Sequence, residues 1–424
     1  MNTVAAIGLA GLAFSIAAYA LSVAARCRLR RADPGGPLPG FAPPVSILKP
    51  LCGVDEELAE NLESFFRLDY ESYEVIFSFA SREDPAYRVA RAVADRHPAI
   101  RSVFVFDARE PGGNAKVNRL AAALRFARHR LVLFSDGNVR VRPDFLGRGV
   151  AFFADPGVGL VSHLFRAAGP VSLPSRVEAS YLNGCLQPGI AVVAEFLRMP
   201  CVVGKSILVS RRALEAIGGI GVLRDYLAED FLLGRAVRRA GYRVALSADD
   251  VDTTEVRKRA RGVWDRHRRW AMMRRRLGGP LYAGELLASP LLWFAAAMAA
   301  PSGTARLTGL VLLGLRWGIE LLWTPRASEA LSWRDAAVLP LRDALAAAVF
   351  WAGLMGRAVA WRGRPLVIGK ETRITVASAR PGSAACGGTG LRLACRLDRR
   401  PDPSLAAAPA ARGSSPLGDE CRAG

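Results

Sequence analysis

The chain has 424 residues, 51% of them hydrophobic, and a formal net charge of +20. A positive mean hydropathy of +0.17 is high for a soluble enzyme and points to membrane segments. The charge is almost wholly arginine, with only five lysines, Lys49, Lys116, Lys205, Lys258 and Lys370, which suits anionic lipids or phosphorylated substrates. The arginines flank apolar stretches instead of alternating with aromatics on one face, which argues against nucleic acid. Seven scattered cysteines with no Cys-x-x-Cys pair indicate neither a zinc site nor a disulfide framework, and suggest a reducing compartment.

Residues 2–25 are uncharged and apolar, about 36 Å as a helix and enough to span a bilayer. Arg26, Arg28, Arg30 and Arg31 follow at once. The positive-inside rule then places the N-terminus outside and the rest of the chain in the cytoplasm. The expected organisation is an anchor over 1–25, a basic Pro/Gly linker over 26–43, a cytoplasmic domain over 44–280 and two or three membrane segments over 281–360. An unstructured Ala/Gly/Pro/Ser/Arg tail is expected over 374–424.

Within the domain, VSILKP, YEVIFSFA, RSVFVFD and HRLVLFSD read as strands. Amphipathic helices read between them, as EELAENLESFFRL, AYRVARAVADRHP and AKVNRLAAALRFAR. The alternation of strand and helix predicts an α/β domain with a mostly parallel sheet covered on both faces. Ligands of such sheets bind beyond the carboxyl ends of the strands. Three later stretches, near 286–300, 307–323 and 336–354, are apolar but short or interrupted. Arg342 and Asp343 inside the last are tolerable only if paired or turned toward protein.

Carboxylates stand at strand ends in three places: Glu83-Asp84 in SREDPA, Asp136 in SDGN and Glu229-Asp230 in YLAEDFLLG. One such aspartate alone is more often a helix cap or turn former. Three converging on one sheet edge can share a divalent cation, contact a nucleotide and supply a base. In WDRHRRWAMMRRR, Arg266 and Arg269 share a helix face at i, i+3 spacing. They read either as a membrane-surface basic helix or as a clamp on a diphosphate.

Together GVDEELAENLESFFRLDYESYEVIFSFASREDPA, GGNAKVNRL, SDGNVRV, YLAEDF and RHRRW resemble, in order and spacing, the ceramide glucosyltransferase family. These are membrane-bound inverting glycosyltransferases of the GT-A fold, and the chain looks like a bacterial member. The resemblance covers 45–276, with WRGRPLVI similar to the family's closing motif. It implies a GT-A domain with transmembrane helices on both sides, facing the cytoplasm at the inner membrane. A UDP-sugar is the implied donor and Mg²⁺ or Mn²⁺ the implied metal. A membrane lipid is the implied acceptor, ceramide before a hopanoid or diacylglycerol.

By the same resemblance Asp84 lies on the uridine side, Asp136 binds metal and diphosphate, and Asp230 is the base. Arg266, Arg269 and Trp270 match the Q/R-x-x-R-W element. Lys116 and Asn118 match the NPKVNNL segment, and Lys49 is a further nucleotide candidate. Two positions depart from the pattern. Asn138 replaces the second carboxylate of the usual D-x-D metal motif, with Gly137 between expected to let the backbone approach a phosphate. Gln187 stands where the animal enzymes have a histidine, a position connected with the acceptor. The rival readings are a processive polysaccharide synthase, which needs more spans, and a catalytically weak nucleotide-sugar-binding membrane protein.

Overall fold

The computed structural model describes residues 3–324, 333–356, 358–361 and 364–376. Its centre is one sheet of eight strands: β1 Val45–Pro50, β2 Tyr73–Phe79, β3 Ser102–Phe106, β4 Leu131–Ser135, β5 Val139–Arg140, β6 Val158–Ala168, β7 Ser206–Ser210 and β8 Arg243–Thr254. Their order is β3-β2-β1-β4-β7-β6-β8-β5.

The apolar runs form buried strands because successive side chains go to opposite faces and both faces are covered. Ile47, Phe77 and Leu133 enter one core layer, while Leu48, Ile76, Val132 and Phe134 enter the other. Helices Pro85–Asp95 and Ala115–Leu124 supply those layers, capped by Asp84 and Asn114. From β3 to β4 all pairs are parallel. Beyond β4 the sheet is mixed: β7 runs antiparallel to β4 and β6, and β5 to β8, while β6 and β8 are parallel. Strand order reverses at β1/β4, and the carboxyl ends beside such a switch point are where sheets of this kind take ligands.

The N-terminal helix is Thr3–Ala32, longer than its apolar run because the arginines continue it. It packs on helices Pro290–Met298 and Gly303–Trp323. A side chain at Gly8 would collide with the Ala297 backbone, and one at Gly11 with the Trp293 ring, so small residues set this approach. Among the described residues two helices, Thr3–Ala32 and Trp333–Met355, are long and apolar enough to cross a membrane. A third candidate is the pair Ala260–Leu287 and Pro290–Met298, bent by 44°.

Arg342 and Asp343 are 0% and 2% exposed. The Arg342 guanidinium donates to both oxygens of Glu320, which also accepts from Arg316 at 2.6 Å. Asp343 accepts from the Trp317 indole at 2.9 Å. The opposite face of this helix, with Leu341, Trp351 and Met355, is exposed and apolar. Charge thus faces protein, and the apolar stripe is left for lipid.

Gln187 is fully buried where a π-helical turn, Leu182–Leu186, passes into helix Gln187–Glu195. It donates to Phe165 O at 2.7 Å and to Asp250 at 2.8 Å, and accepts from Arg26, which also pairs with Asp250 at 3.0 Å. Gln187, noted in the sequence as a departure from the animal enzymes' histidine, thus helps to fasten the N-terminal helix to the domain. The apolar segment after it, Gln187–Glu195, packs on the same helix through Ala191 against Ala25 and Leu29.

A small antiparallel sheet closes the described chain: β9 Ala358–Trp361, β10 Arg364–Ile368 and β11 Ile374–Val376. The tail expected from 374 begins as strand, and residues 377–424 lie outside the described residues.

Replacing Arg342 with Met leaves Glu320 short of a buried counter-charge and is expected to destabilise the protein by about 3–5 kcal/mol. Adding Glu320→Gln is expected to recover part of that loss. Thermal unfolding in detergent checks both; an unchanged single variant would mean that the cluster contributes nothing.

Candidate active site

Asp136 follows β4 directly, and its surroundings are set by pairing register. The antiparallel pair Ser135↔Ser206 brings Lys205, the residue before β7, alongside Asp136. The Asp136 N–H donates to Lys205 O at 3.3 Å. Its Oδ2 lies 3.5 Å from Lys205 Nζ, and its Oδ1 lies 2.7 Å from Lys116 Nζ. Lys116 reaches it from the first turn of Ala115–Leu124, whose cap Asn114 also donates to Glu229 at 3.1 Å.

Lys116 Nζ further donates to Gly204 O at 2.7 Å and lies 3.4 Å from Glu229 Oε1. Asp230 accepts from the N–H of Gly204 at 2.8 Å and of Phe231 at 2.8 Å. A Cβ at Gly204 would sit 3.0 Å from both Asp230 Oδ2 and Lys116 Nζ, so only glycine fits there without displacement.

Two ammonium groups therefore surround Asp136, with a carboxylate pair one step away. Burial alone would raise the Asp136 carboxyl, but Lys116 and Lys205 outweigh it and hold it below the usual range. Burial lowers Lys205. Burial also opposes the charge on Lys116, yet Asp136 and Glu229 more than offset it and raise that ammonium. Glu229 is pushed up by burial to about 7, and Asp230 also rises, chiefly by burial.

Lys49, expected against the nucleotide, lies beneath the site instead. It is fully enclosed, donating to Ser135 Oγ at 3.1 Å and Asp136 O at 2.9 Å, with the Phe65 ring centroid 3.4 Å away. Its donors already have partners within the fold, and it fixes the turn that carries Asp136. Asp84 caps its helix, accepting from Ala86 N at 2.9 Å and from Gly53 N at 2.9 Å. Asn118 is buried and donates to Gly112 O at 2.8 Å, bracing the loop before Lys116. A Cβ at Gly137 would come within 2.9 Å of a Leu51 methyl, so a larger residue there requires that side chain to shift.

Arg266 lies on helix Ala260–Gly278. It donates to both oxygens of Glu255, at 2.9 and 3.2 Å, and lies 3.3 Å from Glu178. Both glutamates are 0% exposed, so this guanidinium is clamped by carboxylates, where a phosphate clamp was expected. Arg269 lies one turn along the helix, and Trp270 packs on the core with its ring edge-on to His267. Glu255 and Arg266 are close enough to Lys205 to act on its charge. Lys205, Glu178 and Glu255 were not singled out in the sequence, and Glu229 was noted only as the carboxylate beside Asp230. For Lys205 the signal was the rarity of lysine, since three of the chain's five meet at Asp136.

Among the described residues no group of three or more His, Cys, Asp or Glu side chains is placed to hold a metal. Asp136 Oδ2 and Asn138 Oδ1 nevertheless converge on one cation, the Lys205 ammonium, at 3.5 and 2.9 Å. Two oxygens meeting at one positive charge suit a hard cation whose other ligands are phosphate and water oxygens.

The family model for Glycosyl transferase family 21 matches residues 6–374. Ceramide glucosyltransferase 1 of Caenorhabditis elegans is 31% identical over 245 residues, covering 58% of this chain and 52% of that protein. Ceramide glucosyltransferase 3 of the same organism is 30% identical over 233 residues, covering 55% and 50%. The chain spans about half the length of these curated relatives. Among solved structures, a mannosyltransferase from Pyrobaculum calidifontis in complex with GDP-Man and Mn²⁺ is 21% identical. It covers 83% of this chain and 97% of its own, with a TM-score of 0.48.

Asp136→Asn leaves two ammonium groups facing a neutral side chain and is expected to cost about 1–3 kcal/mol of stability. Inorganic diphosphate is expected to restore part of it by supplying the missing negative charge. Unfolding temperatures with and without diphosphate test this; no loss, or no response to the anion, would contradict the charge balance described.

Proposed function

The chain belongs to glycosyl transferase family 21, and on that premise we propose that it moves a sugar, glucose first, from UDP to the hydroxyl of a membrane lipid. Ceramide is the first acceptor, and the anomeric carbon inverts. The observation that carries this reading is the meeting of Lys116, Asp136, Lys205, Glu229 and Asp230 at the carboxyl edge of the sheet. Helices apolar enough to enter a bilayer belong to the same chain. Arg26, Arg28, Arg30 and Arg31 at the end of the first helix favour a cytoplasmic domain.

In this mechanism the diphosphate meets the Lys116 and Lys205 ammonium groups, which exchange their contacts with Asp136 for phosphate oxygens. Positive charge fixed in a partly buried cleft stabilises negative charge on the leaving group more than water does. Asp230 is the base. Two backbone N–H groups aim its carboxylate, and burial raises its affinity for a proton. The acceptor oxygen attacks the anomeric carbon opposite the diphosphate, the bond from that carbon to the phosphate oxygen breaks, and the hydroxyl proton passes to Asp230.

Mg²⁺ or Mn²⁺ would be held by Asp136 and Asn138 and would add positive charge against the leaving diphosphate. Arg269 is the guanidinium proposed for that diphosphate. Arg266, tied to Glu255 and Glu178, acts through the charge it places near Lys205. Asp84 and Asn118 shape the uridine side through the loops they hold.

Membranes containing the full chain are to be given radiolabelled UDP-sugars one at a time with Mg²⁺ or Mn²⁺, and the extracted lipid identified by mass. Labelled ceramide from UDP-glucose is expected; no label in any lipid would contradict the reading. Asp230→Asn is expected to lower transfer by about a thousandfold while leaving UDP affinity within about threefold. Because burial raises the acidic pair, the pair holds a proton on the acid side. Thus kcat/KM is expected to fall as pH drops through about 7. A flat profile from about pH 8 to about pH 6 would remove the pair from catalysis.

A further inference from the structure

Helix Glu229–Arg239 begins with the acidic pair, yet its N-cap is Ala228, which has no side chain able to cap it. Something else must set the position of Glu229 and Asp230. Besides Asn114 and Gly204, a segment from the far end of the chain does so. Thr372 O accepts from Leu227 N at 3.0 Å, and Thr372 Oγ1 accepts from Ala228 N at 3.2 Å. Ile374 N donates to Asp225 O at 2.8 Å, and Tyr226 and Arg373 form an isolated antiparallel bridge. Residues 225–228 are thus paired like a short strand against 372–374.

The same segment reaches the lysine side of the cleft. The Gly113 N–H donates to Asp225 Oδ1 at 3.1 Å, and Asn114 N donates to Arg224 O at 2.7 Å. A Cβ on Gly113 would be 3.0 Å from Ile374 Cδ1, so Ile374 rests on the loop that caps the Lys116 helix. Leu227, Met272 of the arginine-rich helix, Val359, Leu366, Ile368 and Ile374 form one buried cluster. The closing sheet thus touches the segment before the acidic pair, the loop before Lys116 and the arginine-rich helix.

Thr372 itself is fully buried, and its φ is +65°, next to Glu371 at +51°. A β-branched residue is unfavourable in this left-handed region and persists only where its surroundings hold it. Side chain and turn are thus fixed together.

We propose that Thr372 is a positioning residue for the acidic pair, so that the sheet of β9, β10 and β11, which follows the apolar helices in the chain, completes the active site. The proposal rests on the transfer reaction proposed above for its kinetic consequence, but not for its geometric one. Thr372→Val keeps the shape and removes the hydroxyl acceptor; Thr372→Ser keeps the acceptor and removes the β-branch. Val367→Ala, at a half-exposed place on the same sheet, is the control.

The full chain in membranes, with UDP-glucose and ceramide, is expected to show kcat at least about tenfold lower in Thr372→Val, with KM for UDP-glucose little changed and the acid limb of the pH profile moved. Thr372→Ser and Val367→Ala are expected to behave as wild type. Hydrogen exchange over residues 225–235 is expected to quicken in Thr372→Val alone. The proposal is overturned if Thr372→Val matches wild type in exchange and in transfer. It is equally overturned if Thr372→Ser is as impaired as Thr372→Val, because the hydroxyl would then be immaterial. A wild-type chain that transfers no sugar would count against the proposed reaction, and the exchange comparison would then decide the positioning role by itself.

Discussion

The structure turns on one carboxylate between two ammonium groups. Asp136 is held at the end of β4 by Lys116 and Lys205, and its turn is held from below by Lys49. A partly buried carboxylate is costly unless paired, and partly buried ammonium groups are costly for the same reason. Each therefore requires the other. Two ammonium groups share the single Asp136 carboxylate, an arrangement that a phosphate oxygen could join. Glu229 and Asp230 lie on its far side, where Lys116 links the two groups.

The rest of the chain places those groups. The antiparallel entry of β7 beside β4 delivers Lys205, Asn114 caps the helix that delivers Lys116, and Gly204 lets Asp230 and Lys116 come together. Around the apolar helices a second principle operates. Charges such as Arg342, Asp343 and Glu320 pair inward, while Leu341, Trp351 and Met355 face outward. Arg26 fastens the first helix to the domain through Asp250 and Gln187. The sheet edge that carries Asp136 and the exposed apolar helix faces are thus parts of one packed body, as the proposed reaction between a soluble donor and a membrane acceptor would require.

The first half of the fold was legible because β1 to β4 are continuous apolar runs separated by amphipathic helices, and local pattern suffices for such units. The mixed half was not, since β6 and β7 pair across intervening helices and no local signal gives their direction. The strand-end position of Asp136 was readable, whereas the role of Lys205 depends on register alone. Arg266 looked like a phosphate clamp because its partners Glu178 and Glu255 are remote from it in sequence or outside the motif. Lys49 looked like a nucleotide contact for a similar reason: burial decides what a polar side chain serves, and burial is a tertiary property.

The measurement that tests the account most directly is calorimetric titration of UDP into the purified full chain and into its Lys205→Met variant, in the same detergent without added metal. The account predicts that the wild type binds UDP and that the variant binds at least about tenfold more weakly, the loss of one charge-assisted phosphate contact. Equal affinity in the two proteins, or no binding by either, would contradict the claim that the lysine-compensated Asp136 is a diphosphate site.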